Sequence, residues 1–331
     1  MKTLNMNAHA VLLPAIGDLE LTDTLRKFFD NGGLSLLLGE TREEYVGRKM
    51  SSERVQSESR NDFQRITRKV TERVGRSLIA IDQEPAGILR LHGLVPAMPN
   101  EAALHRMTAD EIRELCKTIA ESSAQMGVNM FLAPIVDVVS GQNPWLKGRT
   151  LGPDPREVAR IAAAYVRGVQ EGGVIATAKH FPGHHNIEAD PAVDIAEVRG
   201  SRADLEPGFI PFHAVIEAGV GAIMTGPALV PAMDPEQPSS ISSTTVKFLR
   251  ESFGFRGLVV SDDIDAKATL RYGTVTETAV AALNAGADLL LLAGNEHLPE
   301  ISEAIVAAVA DGRLSEARLA EAAAKVRSFT R

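Results

Sequence analysis

The sequence predicts a single-domain (β/α)8 barrel over residues 1–331. Three observations predict it. Eight short, nearly continuous apolar runs recur along the chain, as strands buried on both faces of a parallel sheet do. Segments of helical periodicity separate them, the βα alternation of a wound α/β fold. The 331-residue length falls within the roughly 200–400 residues of such barrels. An open doubly wound sheet is the competing architecture, but no strand candidate is followed by GxGxxG or a P-loop.

The strand candidates, in order, are "VLLPAI" at 11–16, "LSLLLG" at 34–39, "SLIAID" at 77–82 and "VNMFLAP" at 128–134. They continue with "VIATAKHF" at 174–181, "VGAIMTG" at 220–226, "GLVVSDD" at 257–263 and "ADLLLLAG" at 287–294. Among the helix candidates, "RNDFQRITRKVTERVG" at 60–75 has helical periodicity inside the long charged segment 40–76. The segment 108–127 opens with a Thr108–Glu111 capping box and repeats apolar residues at Ile112, Leu115, Ile119 and Met126. Asp154 and Pro155 start the next helix, which ends in glycines. Thr274 and Glu277 form another box, and "SEARLAEAAAKVRSF" closes the chain.

Composition excludes some functions. With 44% hydrophobic and 24% charged residues, the chain has material for a large core. A net charge of −8 argues against nucleic acid and anionic membrane as partners. The single cysteine, Cys116, reads as a buried helical residue and allows no intramolecular disulfide. The N-terminal apolar run is interrupted by Pro14, and no run approaches the roughly 18 residues of a membrane span, so a cytoplasmic protein is expected.

Chemistry in a barrel of this kind sits at the strand C-termini. Reading past each run gives Asp82, Gln83 and Glu84; Asp137; Lys179 and His180; Thr225; Ser261, Asp262 and Asp263; Asn295 and Glu296. Any one of these could be a helix N-cap. The set argues otherwise, because "DQE", "KH" and "SDD" place charge directly at the ends of apolar strands. Converging carboxylates suit glycoside hydrolysis. A metal set of His180, His184, His185 and Asp190 is the weaker alternative, because Pro182 and Gly183 break the helix that HxxxH ligation uses and no HExxH occurs. No metal and no cofactor are expected. Ser261 lies outside any GxSxG elbow, which disfavours a serine hydrolase.

The stretches "AKHFPGH" at 178–184 and "GLVVSDDID" at 257–265 resemble glycoside hydrolase family 3, more narrowly its single-domain bacterial β-N-acetylglucosaminidases of peptidoglycan recycling. "IDQE" at 81–84, "VNMFLAPIVDV" at 128–138, "GRTLGPDP" at 148–155 and "DGRLSEARLAEA" at 311–322 agree in order and spacing, so the resemblance covers roughly residues 25–329. It implies that Asp262 is the nucleophile of a covalent glycosyl-enzyme. It also implies that Asp82, Arg90, Arg149, Lys179, His180 and His184 bind or shape the sugar site.

One loop departs from the family. Its general acid/base is the histidine of an Asp-Ser-His loop, but "KHFPGHHNIEADPA" aligns Asp190 with the aspartate, Pro191 with the serine and Ala192 with the histidine. The family's glycine after the second histidine is His185. An alanine cannot transfer a proton, and acid–base assistance is worth about 10²–10⁴-fold. Asp190 and His185 lead the candidate replacements, with Glu188 and Asp194 behind them. The family's "DQEGGRV" is "DQEPAGI", so Gly87 replaces an arginine, and Gly226-Pro227 replaces the usual Ala-His.

The expected function is therefore retaining hydrolysis of a β-glycoside, of β-N-acetylhexosaminidase type, on a small carbohydrate or glycoconjugate. Two alternatives remain open. One is a transglycosylase or phosphorylase-like enzyme, or one acting on activated glycosides. The other is a catalytically weak sugar-binding homologue. Oligomeric state is not legible.

Overall fold

Side chains alternate across a strand, and in this protein the alternation separates two apolar layers. In the computed structural model, which describes residues 2–47, 49–91, 93–271 and 273–331, the barrel strands are β1 (Leu12–Ile16), β2 (Ser35–Leu38), β3 (Leu78–Ile81), β4 (Met130–Phe131), β5 (Ile175–Phe181), β6 (Ala222–Thr225), β7 (Leu258–Ser261) and β8 (Leu289–Leu292), and Leu229–Val230 and Asp234–Pro238 pair as a separate antiparallel hairpin. Leu36 and Leu38 pack outward with helix residues such as Leu25 and Phe63. Leu37 instead joins Leu13, Leu78, Met130, Ile175, Ala222, Leu258 and Leu289 in an inner cluster that draws on every strand. Val326 and Phe329 of the last helix pack against that inner set.

All neighbouring strands of the barrel pair in parallel, and β8 pairs with β1 through Leu290 and Leu12 to close it. The closed sheet is the expected (β/α)8 barrel, with one helical layer around it. The anticipated helices form at Arg60–Val74, Ala109–Ala124, Pro155–Glu171, Val275–Ala285 and Glu316–Phe329. The capping boxes at Thr108–Glu111 and Thr274–Glu277 are both made. Cys116 is buried, and burial pushes its thiol up to about 12. No helix among the described residues is long and apolar enough to cross a membrane.

Two elements differ from the sequence pattern. The run at 128–134 yields only Met130–Phe131 as strand. The Asn129 side chain takes over the ladder before it, accepting from Ile79 N–H at 2.7 Å and donating to Ser77 O at 2.8 Å. Helix Arg202–Glu217 contains Pro207 and Pro211. Prolines normally signal a helix end, which hides this helix from a periodicity reading. A satellite core of Ile135, Trp145, Ile187, Val198 and Val230 lies among the segments that follow the strands.

Helix Pro155–Glu171 approaches helix Ala109–Ala124 at Gly168, where a Cβ would sit 2.2 Å from Arg113 O. Gly168→Ala gains helix propensity, about 1 kcal/mol, yet forces the two backbones apart. We expect a net destabilisation of about 1–3 kcal/mol, read as a lower midpoint in urea. A midpoint at or above wild type would show that the helices slide apart without cost.

Candidate active site

The same alternation that fills the barrel interior carries charge to its mouth. The inner rows Leu78–Ala80 and Leu258–Val260 continue, two residues on, as Asp82 and Asp262. Ile175 and Thr177 continue as Lys179. These three side chains line one cavity of about 110 Å³ together with Glu40, Tyr45, Trp145, Arg149, His180 and Asp263. A larger groove of about 700 Å³ lies elsewhere, lined by Lys247, Arg250 and Arg318. Its Arg250 and Arg318 are engaged by Asp288, and it lies away from the strand ends that carry the carboxylates, so the smaller cavity is the candidate site.

Glu84 anchors one side of it. Its carboxylate is fully buried and holds Arg149 at 2.5 Å and Lys179 at 3.0 Å. Lys179 Nζ also donates to Asp82 Oδ1 at 2.7 Å. Burial opposes the charge on Glu84, but Arg149 and Lys179 outweigh it and hold the carboxyl well below the usual range. Burial likewise opposes the charge of Lys179, and Asp82 and Glu84 overcome it, raising the ammonium's pKa. Gly87 makes this possible. A Cβ there would fall 1.9 Å from Glu84 Oε2, so the glycine leaves room for the buried carboxylate.

Asp137 anchors the other side. Its Oδ2 accepts from the His180 backbone N–H at 3.0 Å and meets His180 Nδ1 at 2.8 Å. Its Oδ1 accepts from the His184 backbone N–H at 2.7 Å. Burial disfavours the Asp137 charge, yet the two histidines hold its carboxyl far below the ordinary value. Burial lowers the His180 pKa despite Asp137. Trp145 packs on His180 with centroids 4.4 Å apart. The His184 ring occupies the space where a Cβ of residue 226 would lie, 1.8 Å from its Cε1. Asp137, His180 and His184 bring possible cation ligands together. A cation there would compete with N–H donors that already use both carboxylate oxygens.

Asp262 stands between these anchors. Its Oδ1 accepts from the Asp263 backbone N–H at 2.8 Å. Its Oδ2 is buried without a hydrogen-bond partner among the described residues, with His180 Nε2 3.8 Å away. Arg149 NH1 and Glu40 Oε1 are likewise buried and unpartnered. These polar atoms of one cavity are left for a ligand.

Of the residues named from sequence, Asp82, Arg149, Lys179, His180 and Asp262 come together. Arg90 does not line the cavity. It is buried against Glu58, at 2.6 Å, and donates to Gly39 O at 2.9 Å. His184 sits behind the cavity wall against Trp145 and Gly226. His185 points toward Gly200 and the start of helix Arg202–Glu217, where burial lowers its pKa. Asp190 accepts from Ala192 N–H at 3.0 Å within its own loop and is not among the lining residues. Glu40, Glu84, Asp137, Tyr45 and Trp145 were not singled out as site residues. Glu84 and Asp137 stood among the polar strand ends; Glu40, Tyr45 and Trp145 follow no motif.

The sequence profile of the Glycosyl hydrolase family 3 N terminal domain matches residues 36–329. The chain belongs to that family. A beta-hexosaminidase of Xylella fastidiosa is 35% identical over 251 residues, 73% of each chain. One of Nitrosomonas eutropha is 31% identical over 223 residues, 65% of this chain and 64% of that one. A family 3 beta-N-acetylglucosaminidase structure from Paenibacillus superposes with a TM-score of 0.88 at 29% identity, covering 98% of this chain. The present chain spans 62% of that protein's length and 64% of the Nitrosomonas relative's.

Glu84 gives a pH-dependent prediction. Its folded pKa is depressed from 4.5, so its stabilisation is full above that value and fades as pH falls toward the folded pKa. Glu84→Gln leaves the buried Arg149 without its carboxylate and Lys179 with Asp82 alone, and should cost on the order of 3 kcal/mol at pH 7. The difference from wild type should shrink below pH 4.5. A pH-independent difference in denaturant unfolding would refute this account of the pair.

Gly226→Ala should displace the His184 ring that occupies the Cβ position. We expect it to cost more stability than alanine substitution at the unobstructed Gly208. Equal thermal midpoints for the two variants would mean the ring moves freely.

Proposed function

We propose that the chain is a retaining β-glycoside hydrolase of hexosaminidase type, acting through a covalent glycosyl-Asp262 intermediate. The observation that carries this reading is the Asp262 carboxylate. One oxygen is fixed by the Asp263 N–H and the other has no hydrogen-bond partner among the described residues, in a cavity that also holds Asp82, Lys179, His180 and Arg149. A nucleophile needs a free oxygen of fixed direction. The surrounding charged donors suit sugar hydroxyls. Membership of family 3 and the names of its relatives support the substrate class.

Proton donation is the departure. Ala192 has no acidic group, and its loop is tied down, with Pro191 O accepting from Ala268 N–H at 3.0 Å. Asp190 and His185 do not line the cavity, so the proposal gives neither a contact with the bound sugar in this conformation. Glycosylation then relies on the leaving group. The same feature favours a second reading, a sugar-binding homologue of weak activity, which predicts no covalent adduct.

Asp262→Asn should abolish turnover while leaving sugar binding largely intact. A 2-fluoro glycoside with an activated leaving group should label wild type at Asp262, read by mass spectrometry of peptides. Label on Asp263, or near-normal turnover of the variant, overturns the assignment.

Rates across aryl glycosides should fall steeply as the leaving group becomes less acidic. Ala192→His combined with Pro191→Ser should raise kcat/KM on an unactivated β-N-acetylglucosaminide, up to about 10²-fold, while changing nitrophenyl glycosides little. Rapid wild-type cleavage of unactivated substrates would instead reveal a substitute acid. Asp190→Ala and His185→Ala would then identify it.

A further inference from the structure

The wall that faces Asp262 carries a carboxyl group that no step above uses. Glu40 follows β2 by two residues and lines the cavity. In the closed barrel β3 lies four strands from β7 in either direction and β2 lies three away. Glu40 and Asp82 therefore share the wall opposite the Asp262 carboxylate. Glu40 Oε1 is shielded from solvent and has no hydrogen-bond partner among the described residues.

The charges around Glu40 decide its state. Asp82 and Glu84 face it from the end of β3, and Arg90 from the loop beyond. The other ionisable groups of the cavity are Tyr45, Arg149, Lys179, His180, Asp262 and Asp263. Arg149 and Lys179 are committed to Glu84 and Asp82, and Arg90 to Glu58. Burial, reinforced by Asp82, pushes the Glu40 carboxyl up to about 8. At neutral pH it is uncharged, and an uncharged carboxyl both donates and accepts.

A glycoside whose anomeric carbon meets Asp262 Oδ2 directs the far end of its ring, O4 and the C6 substituent, at the opposite wall. A hydroxyl there can accept from Glu40 and donate to Asp82. A phosphate or carboxylate there would meet the Asp82 carboxylate, which lines the cavity, with like charge. We propose that Glu40, with Asp82, is a specificity-determining residue that binds a neutral hydroxyl at the end of the sugar remote from the scissile bond and rejects an anionic group at that position. This rests on the glycosidase reading given above.

The test uses 4-nitrophenyl N-acetyl-β-glucosaminide with its 4-deoxy, 6-deoxy and 6-phosphate analogues, on wild type, Glu40→Ala and Glu40→Gln. One deoxy analogue should lose about 10- to 100-fold in kcat/KM on wild type. The same deletion should cost several-fold less on Glu40→Ala, where only the Asp82 partner remains. The 6-phosphate should be at least about 100-fold poorer than the parent on wild type. KM for the parent should rise through pH 8 as wild type loses the Glu40 proton, and stay flat in Glu40→Gln, which has none to lose. That profile serves as the test should Glu40→Ala fail to fold. Equal deoxy losses in wild type and Glu40→Ala, good cleavage of the 6-phosphate, or an unchanged KM rise in Glu40→Gln each overturn the proposal. Turnover of the parent without coupling sinks this proposal alone. Absence of all turnover and of label at Asp262 sinks the glycosidase reading, and this proposal with it.

Discussion

The buried carboxylate of Glu84 is the constraint on which the site depends. A charge without solvent is tolerated only when it is paired and hydrogen-bonded. Glu84 meets that condition with Arg149, Lys179 and the Ile88 N–H, the last donating to Oε2 at 2.9 Å. Those contacts join the end of β3, the end of β5 and the loop carrying Arg149. They also fix Lys179 where it reaches Asp82. Both cations are paired in this way, and the next carboxyl on the wall, Glu40, is held protonated by its burial, with Asp82 adding to the effect.

Asp137 does for the histidines what Glu84 does for the cations. It receives the His180 and His184 backbone amides and the His180 ring, so the segment after β5 is held by one carboxylate. Trp145 covers the His180 ring and connects through its indole N–H to Tyr45. Both anchors need a neighbour without a side chain: Gly87 beside Glu84 and Gly226 beside His184. These two glycines stand where this chain's buried polar groups need space.

The chemistry divides along the same line. In the proposed reaction Asp262 is the nucleophile, with Oδ1 held by the Asp263 N–H. The loop that the family resemblance would make the proton donor carries Pro191 and Ala192 and is bonded through its backbone to Lys267 and Ala268. General acid assistance of about 10²–10⁴-fold corresponds to roughly 3–5 kcal/mol of barrier, so this difference governs which substrates the proposed reaction favours.

The sequence by itself determined the barrel and the charges at its strand ends. An apolar run followed by charge is a local pattern, so Asp82 after "LIAI" and Asp262 after "LVVS" could be read without knowing their partners. Capping boxes at Thr108 and Thr274 are likewise local chemistry and formed where read. Tertiary structure decided what no local pattern encodes. It placed Arg90 on Glu58, His185 toward Gly200 and Asp190 on its own loop. It also brought Glu40, Tyr45 and Trp145 to the cavity from segments without motif. The physical reason is that a side chain's partner, burial and charge state depend on residues distant in the chain: Glu40 is an ordinary glutamate in "GETREE" until folding buries it and sets Asp82 beside it.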